Sequence, residues 1–157
     1  MSELPFDINT LLSEKKEFIQ QNAVFPVQGT ILPLNGVGMS TRIDYIVDIN
    51  RKYYSLKRIT FHQRVFTNIS LLRLDLVDSK PHRNPDGTKI SGTHLHVYRE
   101  GFGDTWAYEL DDPALNSLFP GFDFTSFKPD DHLARFNAFS NLCNFTNRIS
   151  FVVPLSI

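Results

Sequence analysis

Residues 69–77 read Ile69-Ser-Leu-Leu-Arg-Leu-Asp-Leu-Val77. Side chains alternate across a β-strand, so Leu72, Leu74 and Leu76 point one way. Leu71, Arg73 and Asp75 point the other. Such a segment buries one face and leaves polar groups on the opposite one. It reads as a strand, and it sets the pattern for its neighbours.

Upstream, Ile43, Tyr45, Val47 and Ile49 alternate with Arg42, Asp44 and Asp48, again a half-buried strand. Asn50-Arg51 reads as a hairpin turn, because Asn tolerates positive φ. Tyr53 to Phe66 reads as a long return strand, bulged near Lys57-Arg58. Ala23 to Leu34 is extended but interrupted by Pro26 and Pro33, which fits an edge. Gly36 and Gly38 are expected to mark a turn. Residues 7–21 carry Ile8, Leu11, Leu12, Phe18 and Ile19 at helical spacing, with Asp7 or Asn9 available as a cap.

Downstream, 79–92 is rich in Pro, Asn, Asp and Gly and reads as a loop. Thr93–Arg99 and Thr105–Leu110 read as strands. Asp112-Pro113 opens a short helix. Residues 129–145 form the clearest helix, with Leu133, Phe136, Phe139, Leu142 and Cys143 on its buried face. The tail from Ile149 to Leu155 offers one more strand. A helix, then strands, then helices points to an α+β fold. The expectation is one domain over 1–157, with an N-terminal helix, an antiparallel meander of five to six strands and C-terminal helices packed on one face.

The chain has 157 residues, enough to bury a core without staples. Its 14 phenylalanines supply large buried areas. Sixteen basic and 17 acidic residues leave a net charge of -1, so no global field draws in nucleic acid or an anionic membrane. One cysteine, Cys143, excludes an internal disulfide and a cysteine-rich zinc site. The N-terminus lacks the pattern of a signal peptide, and no apolar run is long enough for a membrane span. A cytoplasmic protein without a membrane partner is expected.

The chemistry concentrates between Arg73 and Arg99. A strand places His94, His96 and Tyr98 on one face and Leu95 and Val97 on the other. If that strand pairs with 69–77, Arg73 and Asp75 share the polar face. The loop adds His82, Arg83, Asn84 and Asp86. Three histidines within fifteen residues, beside a long turn-rich loop, make a candidate site.

Three chemistries fit these residue types. Metal-free RNA cleavage would use His82, His94 and His96 to move protons, with Tyr98 and Arg73 beside them. A divalent metal would be held by His82, Asp86, His94 and His96, since His-x-His on a strand aims both imidazoles the same way. Recognition without catalysis would use the same face on a nucleotide or a protein. A separate basic set, Arg42, Lys57, Arg58 and Arg83, interleaved with tyrosines, is the candidate nucleic-acid contact. Each part also has a purely structural reading. Pro-Asp-Gly is a turn sequence, and Arg73 with Asp75 makes an ordinary surface ion pair. His62 and His132 stand apart from the cluster in sequence.

The string Arg-Leu-Asp-Leu (73–76), Pro-His-Arg-Asn-Pro-Asp-Gly (81–87) and Gly-Thr-His-Leu-His-Val-Tyr (92–98), running on to Trp106-Ala-Tyr-Glu-Leu110, resembles a family of small uncharacterised proteins from Gram-positive bacteria and their prophages. The resemblance implies a mobile-element setting and a defence, counter-defence (anti-CRISPR-like) or toxin role, and it assigns no catalytic residue. The functional expectation is a small phage-type effector acting on nucleic acid or a nucleic-acid-bound complex, working through His82, His94 and His96. The alternatives are a ribonuclease, or a non-catalytic module that binds a host protein. No cofactor is expected beyond that possible divalent metal.

Overall fold

The computed structural model describes residues 6–76 and 80–155. It opens with helix α1 (Ile8–Ser13), then strands β1 (Lys16–Phe18), β2 (Asn22–Val24), β3 (Ile31–Gly38), β4 (Asp44–Asn50), β5 (Ile59–Val65) and β6 (Ile69–Leu76). A ribbon of β7 (His82–Arg83) and β8 (Lys89–Ile90) precedes β9 (His94–Val97) and β10 (Ala107–Glu109). Helix α2 (Ala114–Leu118), a 3-10 turn (Phe124–Phe127), helix α3 (His132–Leu142) and β11 (Ser150–Val152) complete it.

Seven strands form one antiparallel sheet in the order β1-β3-β4-β5-β6-β9-β10. From β3 onward it is a meander, interrupted only by the β7–β8 ribbon. The fold is therefore α+β as expected, with more strands than the meander read from sequence. The expected strand end at Val77 and loop start at Ser79 lie outside the described residues.

Leu72, Leu74 and Leu76 bury completely against Phe61, Ile59, Leu95 and Val97, as the alternation requires. Helix α3 covers this face, and Phe61 meets the ring of Phe136 edge-on at 5.6 Å. Each such side chain contributes about 1.5–3 kcal/mol by leaving water. Asp131 caps α3 by accepting from the N–H groups of Leu133 and Ala134.

Several local expectations fail for identifiable reasons. The first helix stops at Ser13 rather than running to residue 21. Beyond it, Glu14 and Lys16 turn inward, Phe18 stacks on Phe145 at 3.8 Å, and Ile19 is exposed. A buried polar network and a strand pairing override helical spacing. Gly36 and Gly38 are not a turn but the end of β3. A Cβ at Gly36 would lie 2.5 Å from the Phe145 ring, and one at Gly38 would run into the Glu14 carboxylate. The return from β4 is a loop over 51–58, not a two-residue turn, because Arg51 is drawn into the interior, where it donates to the carbonyls of Pro26 and Leu56. The strand bulge falls at Gln63/Arg64 rather than near Lys57. Among the described residues, no helix is long and apolar enough to cross a membrane.

Candidate functional site

The sheet register builds the site. Directly opposed residues in antiparallel strands project to the same face. One row across β4, β5, β6 and β9 is therefore Asp48, His62, Arg73 and His96. The next row is Asn50, Thr60, Asp75 and His94. Two polar rows lie side by side on the face away from α3.

Asp75 is the hub. Its Oδ2 lies 3.2 Å from Nε2 of His94 and 3.5 Å from Nε2 of His96. Its Oδ1 accepts from Thr60 Oγ1 at 3.2 Å and faces Arg73 Nε at 3.4 Å. Burial alone would raise this carboxyl, but the His94 contact and the Arg73 charge outweigh it and hold it well below the usual range.

The imidazoles are fixed at their far nitrogens. His94 Nδ1 donates to the Gly92 carbonyl at 2.8 Å, and His96 Nδ1 donates to the Asp104 carbonyl at 2.8 Å. A carbonyl can only accept, so both Nδ1 atoms carry hydrogen. On His96, Nε2 meets Arg73 Nη2 at 2.9 Å. A guanidinium can only donate, so this nitrogen offers its lone pair and the ring is neutral. On His94, Nε2 meets a carboxylate oxygen. Two acceptors do not attract, so a proton or another cation belongs between them.

The loop read from sequence is a folded ribbon. Asp86 does not approach the histidines: its carboxylate accepts from Thr88 N at 2.9 Å and shapes the turn, with Gly87 at positive φ. Asp75 takes the place that the metal reading gave Asp86. Asn84 docks the ribbon, donating to the Ala107 carbonyl and accepting from the Ala107 N–H at 2.9 and 2.8 Å. This lays His82 over the pair, 4.6 Å from the His96 ring and 5.9 Å from the His94 ring between centroids, with Nε2 donating to Thr105 O. His94 and His96 are left 2% and 1% exposed. Tyr98 does not join them; it packs with Leu11, Tyr45, Val65 and Leu71.

An open groove of about 470 Å³ adjoins the pair and shares Arg73 and Asp75 with it. Tyr53, Arg58, Thr60, His62, Arg64 and Asp48 line most of the rest. Arg64 grips Asp48 with two nitrogens, at 2.7 and 3.2 Å. Arg58 lies over the Tyr53 ring at 4.1 Å, and its buried Nε has no hydrogen-bond partner among the described residues. His62, set apart in the sequence, sits beside Arg73, and burial lowers its pKa. Reading one strand from Tyr53 to Phe66 hid this, although Thr60, His62 and Arg64 alternate with Phe61, Gln63 and Val65. A larger cavity of about 700 Å³ lies by the C-terminal helices, but Glu109, Asp111, Asp112 and Asp123 line it and none of the histidines does.

The basic set expected to bind nucleic acid is divided. Arg42 lies in the β3–β4 connection and Lys57 and Arg58 in the β4–β5 connection, at opposite ends of the sheet. Arg83 is spent on the ribbon, donating to Gly87 O at 2.9 Å. Of the four, Arg58 alone lines the groove. His132 lies at the start of α3, 3.3 Å from the Leu56 carbonyl, apart from the cluster.

Asp75, His94 and His96 present one ligand atom each within 4.8 Å of one another, so these three residues could hold a metal ion. No curated protein and no solved structure matches the chain. The model of a family of unknown function, DUF6978, matches residues 6–146. That span includes the whole site, and the chain belongs to this family.

Proposed function

We propose that the polar sheet face is a nucleic-acid-binding surface, with phosphate received in the groove beside Asp75 and a base stacked at its Tyr53 end. The observation that carries this reading is Arg58: it lies on an aromatic ring, its Nε lacks a partner, and no carboxylate pairs with it among the described residues. Among the described residues, Arg64 pairs with Asp48, and Arg73 faces Asp75 and Asp104, which leaves Arg58 as the groove guanidinium without a carboxylate partner. Stacking on Tyr53 would be tolerant of sequence.

Binding, rather than cleavage, is the activity this geometry favours. His94 and His96 are almost fully buried, and Arg73 stands on the Nε2 of His96. A ribose hydroxyl has no path to either nitrogen while that contact holds. A small phage- or prophage-type effector that occupies nucleic acid or a nucleoprotein complex would need only such a surface.

Fluorescence anisotropy with short single-stranded RNA and DNA tests this at several salt concentrations. Arg58→Ala should weaken binding and reduce the slope of log K against log salt by about 1, as expected for one lost phosphate contact. Absence of binding at micromolar protein and low salt would remove the reading. Cleavage of either strand, with or without EDTA, would replace binding by catalysis.

A further inference from the structure

We infer that Asp75, His94 and His96 form a site for a divalent transition ion of the zinc type, and that the Arg73 guanidinium is its built-in competitor. The site stands on its own geometry and does not depend on nucleic-acid binding.

The distances favour an ion over a shared proton. A charge-assisted N–H···O contact settles at about 2.7–2.9 Å. Asp75 Oδ2 instead lies 3.2 and 3.5 Å from the two Nε2 atoms. Ligand atoms about 2.1 Å from a tetrahedral ion sit roughly 3.4 Å from each other. Both spacings match an edge of that tetrahedron. The tautomers match as well, because both rings give their Nδ1–H to backbone carbonyls and direct Nε2 toward the carboxylate. Such outer bonds orient metal-binding histidines. Two imidazoles and one carboxylate are the ligand set of a borderline ion with open positions, not of calcium or magnesium.

Arg73 occupies the lone pair that the ion would need. Its Nη2 is 2.9 Å from His96 Nε2, and its Nη1 reaches Asp104 Oδ2 at 3.5 Å. The ion must displace it from His96. The Arg73 side chain is 34% exposed and already lines the groove, so its exit leads there. Metal entry would thus move a guanidinium from the imidazole into the groove. The two cations exclude each other at His96, and an anion in the groove that held Arg73 would strengthen metal binding by linkage.

Titration of the metal-free full chain with Co²⁺, read by visible absorption, and with Zn²⁺, read by calorimetry, tests the site. One ion per chain is expected, with the intense visible bands of low-coordinate Co²⁺. Asp75→Asn and His94→Gln should each weaken binding roughly tenfold or more. Arg73→Ala should tighten it several-fold, a gain that damaged folding could not produce. No binding by either the wild type or Arg73→Ala overturns the site; binding that Arg73→Ala leaves unchanged or weakens overturns the competition. An oligonucleotide titration on the same samples separates this outcome from the fate of the nucleic-acid reading.

Discussion

Nε2 of His94 lies 3.2 Å from Oδ2 of Asp75, while the opposite nitrogen of the same ring is committed to the Gly92 carbonyl. A ring held at both ends in this way cannot relax when its carboxylate is lost. In EDTA, Asp75→Asn should therefore cost about 1–3 kcal/mol, the usual effect of removing a buried acceptor from groups that bond to it, here Thr60 and Arg73. Urea denaturation measures it. The pH dependence follows from the lowered pKa of Asp75. A depressed carboxyl contributes stability that is present above its unfolded pKa and lost as pH falls through the folded one. Its contribution should thus persist at pH 5 and disappear only below the ordinary carboxylate range, with the Asn variant lacking that acid-side loss.

Asn84 is the clasp that holds the histidine ribbon on β10 through two bonds to Ala107. Asn84→Ala strands the Ala107 N–H and carbonyl, and about 1–3 kcal/mol should be lost. Hydrogen exchange at Ala107 should accelerate by more than the global stability change allows. Unaltered exchange there would show that the ribbon is held by other contacts.

Lys16 is completely buried, donating to the carbonyls of Cys143 and Glu14 and lying 4.7 Å from the Tyr45 ring. Burial lowers its pKa from the ordinary 10.5 to about 8. Between those values the unfolded chain holds a proton that the folded chain has released, so stability rises with pH. The full span corresponds to about 3 kcal/mol. The raised pKa of the Tyr45 phenol acts in the opposite direction, but only near pH 10 and above. Denaturation from pH 7.5 to 9.5 should show the rise in the wild type and its absence in Lys16→Met.

Gln63 occupies the core face of β5, fully buried, and neither its amide nitrogen nor its oxygen has a partner among the described residues. Methionine is unbranched, similar in length and free of that desolvation cost. Gln63→Met should raise stability by about 1–3 kcal/mol. A lower melting temperature would contradict this.

The fold was readable where one face of an element is apolar and the other polar. Leu72, Leu74 and Leu76 against Arg73 and Asp75 give the register of β6, and hence which residues of β9 share its polar face. It was unreadable where polar groups are buried. Glu14 and Lys16 look like the solvated side of a helix, but their partners are distant in sequence: Ser40, Thr41 and the Tyr45 hydroxyl bond Glu14, and Lys16 donates to the Cys143 carbonyl. The site was legible in the same measure. His82, His94, His96 and Arg73 converge, because alternation and one strand pairing suffice to bring them together. Asp75 lies on that face by alternation, whereas Asp86 enters the metal reading only as a loop neighbour of His82, and the Thr88 bond that turns it into the ribbon's own turn leaves no mark in the periodicity. His62 needed the β5–β6 register, which the bulge at Gln63/Arg64 conceals.

The polar rows of the sheet as a nucleic-acid surface are tested most directly by NMR of the arginine and histidine side chains during titration with a short single-stranded oligonucleotide. The expected result is saturable shifts at Arg58, Arg64, Arg73 and His62, with the aromatic signals of Tyr53 moving in step. Shifts confined to the acidic cavity by the C-terminal helices, or none at saturating oligonucleotide, would contradict it.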